Sequence, residues 1–422
     1  MSADVAIPAP RSDSRQRRTT AAWDDRLVAL LCLGSLCLFA PIAKAVYWPA
    51  GGGLDVTGHQ IGRDFINFWA APQIAFGATP GSLFDLSQYN REIRALFGAP
   101  IPFHMWSYPP VVLLAAWGFA TLPYGLALAA WVIGGFAVFA RVVASALPAG
   151  RGNVGLLALA LAPATLINVA GGQNGFLSGA LMVGALLVHD RKPVLAGVLL
   201  GLLTFKPQLG IAVPFALLAL GAWRTLAAAT LTALAWYGAS VAVLGLDFWQ
   251  SYIDYTATYQ ASVVYNAENF WSSMMMSPMA AAMALGAGAK AAGLMQIGIA
   301  AVVIAATMLA VRATDDRLIR MLVIVSAVPL VPHQVFNYDL PMLSAAWLLV
   351  MLNPAYRVAR VGAIASLVWL SPLLTMLAFF LKVPAVAQLI LCAGFAASVV
   401  LAFEHARASR QARHGRSAGL AA

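Results

Sequence analysis

Apolar runs of about 20 residues, parted by short polar breaks, recur along almost the whole of this chain. Each is long enough for a helix to cross the roughly 30 Å hydrocarbon core of a bilayer. No water reaches that core to satisfy backbone N–H and C=O groups, so the runs are predicted to be helices. The composition agrees, since 61% of the 422 residues are hydrophobic and 10% are charged, against about 25% charged in soluble domains. The expected fold is therefore all-α, a polytopic transmembrane helix bundle.

The first run covers residues 27–48. Later ones lie near 125–147, 153–169, 176–189, 193–205, 208–222, 225–245, 291–311, 317–331, 340–352, 361–380 and 384–404, which predicts about twelve spans. Two further stretches are ambiguous by length and content. Residues 109–123 carry Pro109, Pro110 and Pro123, and 277–288 mix Met, Ala and Gly; the second is read as an interfacial segment.

Orientation follows from basic residues, which favour the cytoplasmic side of a membrane. The formal net charge is +10, and much of the excess sits in two tails. Residues 1–25 carry Arg11, Arg15, Arg17 and Arg18, and residues 406–422 carry Arg407, Arg410, Arg413 and Arg416. Both tails are expected in the cytoplasm of a multi-pass plasma or inner membrane protein, flanking one transmembrane domain over 26–405. The basic breaks His189–Lys192, Arg312–Arg320 and Arg357–Arg360 then also face inward. Anionic lipid headgroups are the natural partners of such tails, and no nucleic-acid role is expected. Cys32, Cys37 and Cys392 lie in apolar runs without metal-ligand spacing.

The breaks left facing outward are the chemically rich ones: 50–108, 170–175, the Lys206 to Gln208 break, 246–290 and 332–339. All five can converge on one cavity. The first external loop, 50–108, has helical patterns at Asp64 to Phe76 and Leu86 to Phe97, ended by Gly77 and Gly98, which suit short interfacial helices. Asp64 can serve there as a general base or as a helix cap; spacing alone favours the cap. Gly171-Gly172-Gln173-Asn174-Gly175 offers two amides and close backbone approach, or a tight turn. Lys206-Pro207-Gln208 interrupts nearly thirty apolar residues, and an ionisable group at such depth is costly unless paired or used. Lys206 is thus a candidate partner for a phosphate, with snorkelling to the interface as the alternative. His333-Gln334 and Asn337-Tyr338-Asp339 crowd donors and acceptors into one short break. Aromatics from Phe248 and Trp249 through Tyr252, Tyr255, Tyr259, Tyr265 and Trp271, with Asn269, suit interface anchoring. P-loop, GxGxxG, HExxH and GxSxG signatures are absent.

Taken in order, Arg63-Asp64-Phe65 with Phe68-Trp69, Tyr108-Pro109-Pro110, Gly172-Gln173-Asn174, Lys206-Pro207-Gln208 and His333-Gln334 with Asn337-Tyr338-Asp339 resemble glycosyltransferase family 87. That family is similar to mycobacterial polyprenyl-phosphate-mannose-dependent mannosyltransferases. The resemblance spans roughly residues 25–350. It implies a GT-C-like fold, a polyprenyl-phosphate sugar donor, a lipid or glycan acceptor, an extracytoplasmic active site and Asp64 as catalytic base. It places His333 beside the donor phosphate or sugar. Further substrate contacts are expected from Arg63, Asn67, Gln173, Asn174, Lys206, Gln208, Gln334, Tyr338 and Asp339. With no Asp-x-Asp or paired acidic motif in the first loop, neither metal nor cofactor is expected. A secondary transporter with twelve spans and a lipid-linked glycan ligase are the competing functions.

Overall fold

A computed structural model describes residues 23–98, 101–264, 273–356 and 359–420. The tail residues Arg11, Arg15, Arg17 and Arg18, together with Arg357, Tyr265, Asn269 and Trp271, lie outside the described residues, as do the side chains of Tyr259, Arg413 and Arg416. The described chain is helical apart from turns and one small antiparallel hairpin, Pro49–Gly51 with Leu54–Asp55.

Six helices among the described residues are long and apolar enough to cross a membrane: Asp25–Tyr47, Tyr124–Ala144, Trp223–Leu244, Ala289–Ala313, Gly362–Phe380 and Val386–Gln411. A seventh is made if Gly152–Ala160 and Pro163–Gly171, bent by 50°, count as one. This differs from the expected twelve, and the difference has a physical cause. Gly175–Val188 has 14 residues and Pro341–Met351 has 11, so at 1.5 Å per residue they are only about 21 and 17 Å long. Both are apolar on every face because they are buried on every face. Every residue of Pro341–Met351 is buried, and so are all but two of Gly175–Val188. Hydropathy registers transfer out of water and cannot tell a lipid-facing span from a core helix. The expected spans at 193–205 and 208–222 become Pro193–Leu202 and Ala212–Ala219, joined by tight turns around Lys206.

The expected interfacial helix after Asp64 is also corrected. Phe65–Ala75 buries nine of its eleven residues, which excludes a helix lying with one face in water. It packs on Val111–Ala120 and on a cluster of aromatic rings: Phe68 stacks on Trp131 with centroids 4.8 Å apart, and Trp69 Nε1 donates to the Leu122 carbonyl at 2.8 Å. Leu86–Phe97 is the amphipathic member of the pair. It buries Tyr89, Asn90 and Ile93, is capped by Asp85 and is ended by Gly98 in the left-handed conformation. The 277–288 stretch holds a helix of seven residues, Pro278–Ala284, capped by Ser277 and at about 10 Å too short to cross.

Candidate active site

One cavity of about 930 Å³ lies where these breaks meet, near the upper end of the roughly 300–1,000 Å³ usual for ligand sites. Its wall takes residues from the end of the first long helix, from 57–67, 102–109, 171–173 and 205–211, and from 333–338. Tyr252 and Met274 from the 246–290 break also line it, as do Ile167 and Phe380. All five polar breaks therefore reach one chamber.

Asp64 lines that chamber, and it does not cap its helix: its side chain makes no capping hydrogen bond. Gln173 Nε2 donates to Asp64 Oδ2 instead, and the Asp64 N–H donates to the Gly171 carbonyl at 3.3 Å. Two glycines make this approach possible. Gly172 has φ +57°, and a Cβ there would stand 2.2 Å from the Gly62 carbonyl oxygen and 2.8 Å from Phe65 Cβ. At Gly175 a Cβ would stand 2.1 Å from the Tyr338 carbonyl oxygen. Fully buried Asn168 joins the last two of these segments, accepting from the Gly175 N–H at 2.8 Å and donating to the Tyr338 carbonyl at 2.5 Å. Burial raises the Asp64 carboxyl above its ordinary value, and the Gln173 hydrogen bond, Arg63 and Lys206 pull it part of the way back. A carboxylate so destabilised is a stronger base than an exposed one.

Lys206 is 4% exposed, and its Nζ donates to Asp339 Oδ1 at 2.5 Å. The ammonium sits 5.1 Å from the Tyr338 ring centroid and 5.8 Å from that of Tyr108. Asp339 is fully buried, also accepts the Phe336 N–H at 3.1 Å, and does not line the cavity. It is the counterion that keeps a cation in an apolar interior. Asn174 is likewise behind the wall, its Nδ2 donating to the Tyr108 hydroxyl at 2.8 Å, which leaves the phenol proton for a ligand. Gln208, His333, Gln334 and Tyr338 line the chamber. The His333 carbonyl is held by Ser277 Oγ at 2.7 Å, and desolvation lowers the pKa of its ring. Asn67 also lines it, its Oδ1 accepting from the Tyr89 hydroxyl at 2.8 Å.

Arg63 lines the cavity too, but its guanidinium is committed to the protein. It pairs with Asp55 at 2.8 Å, donates to the Val46 carbonyl and to Thr57 Oγ1, and lies 4.6 Å over the Tyr47 ring. Its φ of +35° is rare for a side-chain-bearing residue. Arg63 thus pins the hairpin to the segment that carries Asp64.

Sequence reasoning missed His59, His104, Thr57 and Tyr47 on this wall. Two of the six histidines lie within 50–108, which was the available signal, but nothing in their spacing of 45 positions pairs them. Among the described residues, no three His, Cys, Asp or Glu gather as a metal site.

No curated protein and no solved structure matches the chain. The model of glycosyltransferase family 87 matches residues 106–332, from the Tyr108-Pro109-Pro110 motif through the Gln173 and Lys206 breaks to the residue before His333. That match covers more than half of the sequence, and this multi-helix membrane protein belongs to glycosyltransferase family 87.

Proposed function

We propose that the protein transfers a hexose, mannose by family likeness, from a polyprenyl-phosphate donor to a lipid or glycan acceptor, by a single inverting displacement with Asp64 as general base. The observation that carries this reading is the placement of Asp64: half-buried, excluded from capping, oriented by Gln173, and within electrostatic reach of Lys206 in the same cavity.

In this mechanism the acceptor hydroxyl oxygen forms a bond to the anomeric carbon while the bond from that carbon to the phosphate oxygen breaks. The hydroxyl proton goes to Asp64, and the electron pair of the broken bond leaves with the polyprenyl phosphate. Gln173 occupies Oδ2 and leaves Oδ1 for the hydroxyl. The Lys206 ammonium and the Tyr108 hydroxyl stand ready for the departing phosphate, whose charge they stabilise more strongly in a dry site than in water. A phosphate leaving group needs no general acid, so a single carboxylate suffices, unlike the carboxylate pair of glycoside hydrolysis. Part of the wall is apolar, with Ile167, Phe205, Ile211, Met274 and Phe380, as a prenyl chain requires.

The extracytoplasmic placement rests on the two ends of one helix. Gly175–Val188 begins two residues after Gln173, and at its other end Arg317 donates to the Leu187 carbonyl and Arg320 lies 3.9 Å from Asp190. The basic breaks and the cavity therefore sit at opposite ends of the bundle, and positive charge favours the cytoplasm. The test is incorporation of radiolabel from polyprenyl-phosphate mannose into lipid by membranes containing the wild type or Asp64→Asn. Incorporation lost in the variant supports the reading, and equal incorporation removes Asp64 as the base.

A further inference from the structure

The cavity has a second polar wall that the displacement chemistry does not use. His104 is 5% exposed, lines the chamber, and its Nε2 has no hydrogen-bond partner. Its position is set by its backbone and not by its ring: the N–H donates to Asn90 Oδ1 and the carbonyl accepts from Asn90 Nδ2, both at 2.8 Å. Half-buried His59 meets it edge to face with centroids 6.1 Å apart, and His59 Nδ1 lies 2.8 Å from Thr57 Oγ1.

This wall carries no net charge. Arg63, the cation beside it, is offset by Asp55 at 2.8 Å. Desolvation, His59 and Arg63 push His104 down to about 3, and desolvation with Arg63 also lowers His59. Both imidazoles are therefore neutral at physiological pH, each with one N–H donor and one acceptor nitrogen. The charges that act on His59 are Arg63 and Asp55, whereas Tyr108 and Tyr338 answer to Asp64 and Asp339. Asp64 feels both Arg63 of this wall and Lys206.

Lys206 is paired too, with Asp339, but its ammonium carries three donors and no acceptor, and those beyond the Asp339 bond suit a phosphate. A neutral wall that both gives and takes hydrogen bonds suits hydroxyl groups, and an unpartnered buried imidazole nitrogen is costly until a ligand satisfies it. We propose that His104 and His59, the latter held by Thr57, form the subsite that grips the hydroxyls of a neutral glycosyl acceptor within the cavity that also holds Asp64. This rests on the transferase reading and extends it: the acceptor headgroup is an uncharged sugar, and the histidine pair selects it.

The test uses the full chain in lipid nanodiscs and two probes, octyl mannoside for the histidine wall and farnesyl phosphate for the Lys206 wall, with His104→Ala and His59→Ala as variants. The wild type is expected to bind both probes. Each variant is expected to weaken octyl mannoside about tenfold, the worth of one buried hydrogen bond, with farnesyl phosphate affinity unchanged. The His104 ring makes no bond through Nε2, so the melting temperature should hold, and the more exposed His59 gives a second variant if it does not. Equal loss for both probes, or no loss for octyl mannoside, overturns the subsite. So does a wild type that binds farnesyl phosphate and not octyl mannoside, which leaves the donor reading standing. A wild type that binds octyl mannoside in a histidine-dependent way but no farnesyl phosphate upholds the subsite and removes the donor. Binding of neither probe removes the transferase reading and the subsite together.

Discussion

Gln173 donates its amide N–H to Asp64 across 109 positions of sequence, and that bond replaces the helix cap that Asp64 would otherwise provide. The carboxylate is thereby held in a cavity and not spent on its own backbone.

Because Asp64 caps nothing and is penalised as an anion, Asp64→Asn should cost no stability. The folded-state pKa lies above the unfolded one, so the native state binds the proton more tightly and the charged group opposes folding at neutral pH. The apparent Tm of the variant in detergent is expected to equal or exceed that of the wild type while transfer is abolished. A drop of the size of a lost cap, about 1 kcal/mol, would show that the side chain supports the helix after all.

The same shift sets a pH profile. Transfer needs the Asp64 carboxylate, so kcat/KM should fall as pH drops through a value above the ordinary carboxylate range. Gln173→Leu removes a hydrogen bond that favours the anion and should move this acid limb further upward. An acid limb at the usual carboxylate pKa in both proteins would separate Asp64 from the rate-limiting ionisation.

Lys206 and Asp339 are 4% and 1% exposed as side chains, so neither tolerates the loss of its partner. Asp339→Leu or Lys206→Met alone is expected to destabilise by about 3–5 kcal/mol, whereas the double variant should regain most of that because no buried charge is left unpaired. The recovered double variant should remain inactive, since its phosphate-facing cation is gone. Thermal melting and transfer assays on all three decide this.

Gly172→Ala should separate the two halves of the site without removing a polar side chain. The left-handed backbone costs about 1–2 kcal/mol for a residue with a Cβ, and the added carbon would meet the Gly62 carbonyl oxygen at 2.2 Å. The 171–173 turn must then withdraw from Asp64, and transfer should fall by about tenfold or more, as for misplaced catalytic groups generally. Undiminished activity would show that this close approach is not needed for turnover.

Much of the site was legible because polar residues are expensive in apolar runs. Asp64, Gln173, Lys206 and His333 stand out for that reason, and the order of their motifs resembles the family that the matched segment 106–332 identifies. The division of labour among them was not legible. Arg63 and Asp339 read as substrate contacts and are an anchor for the hairpin and a counterion for Lys206.

By itself the sequence determined the solvent, the helical class and the breaks where chemistry can occur, because the cost of exposing an unpaired backbone group in hydrocarbon depends on local composition alone. Only the tertiary structure decided which apolar helices are long enough to meet lipid and which form the core, since both read as equally hydrophobic. It also decided which polar groups share a wall. Asn168 bridging to Tyr338, and His59 facing His104, depend on chain crossings that no periodicity encodes.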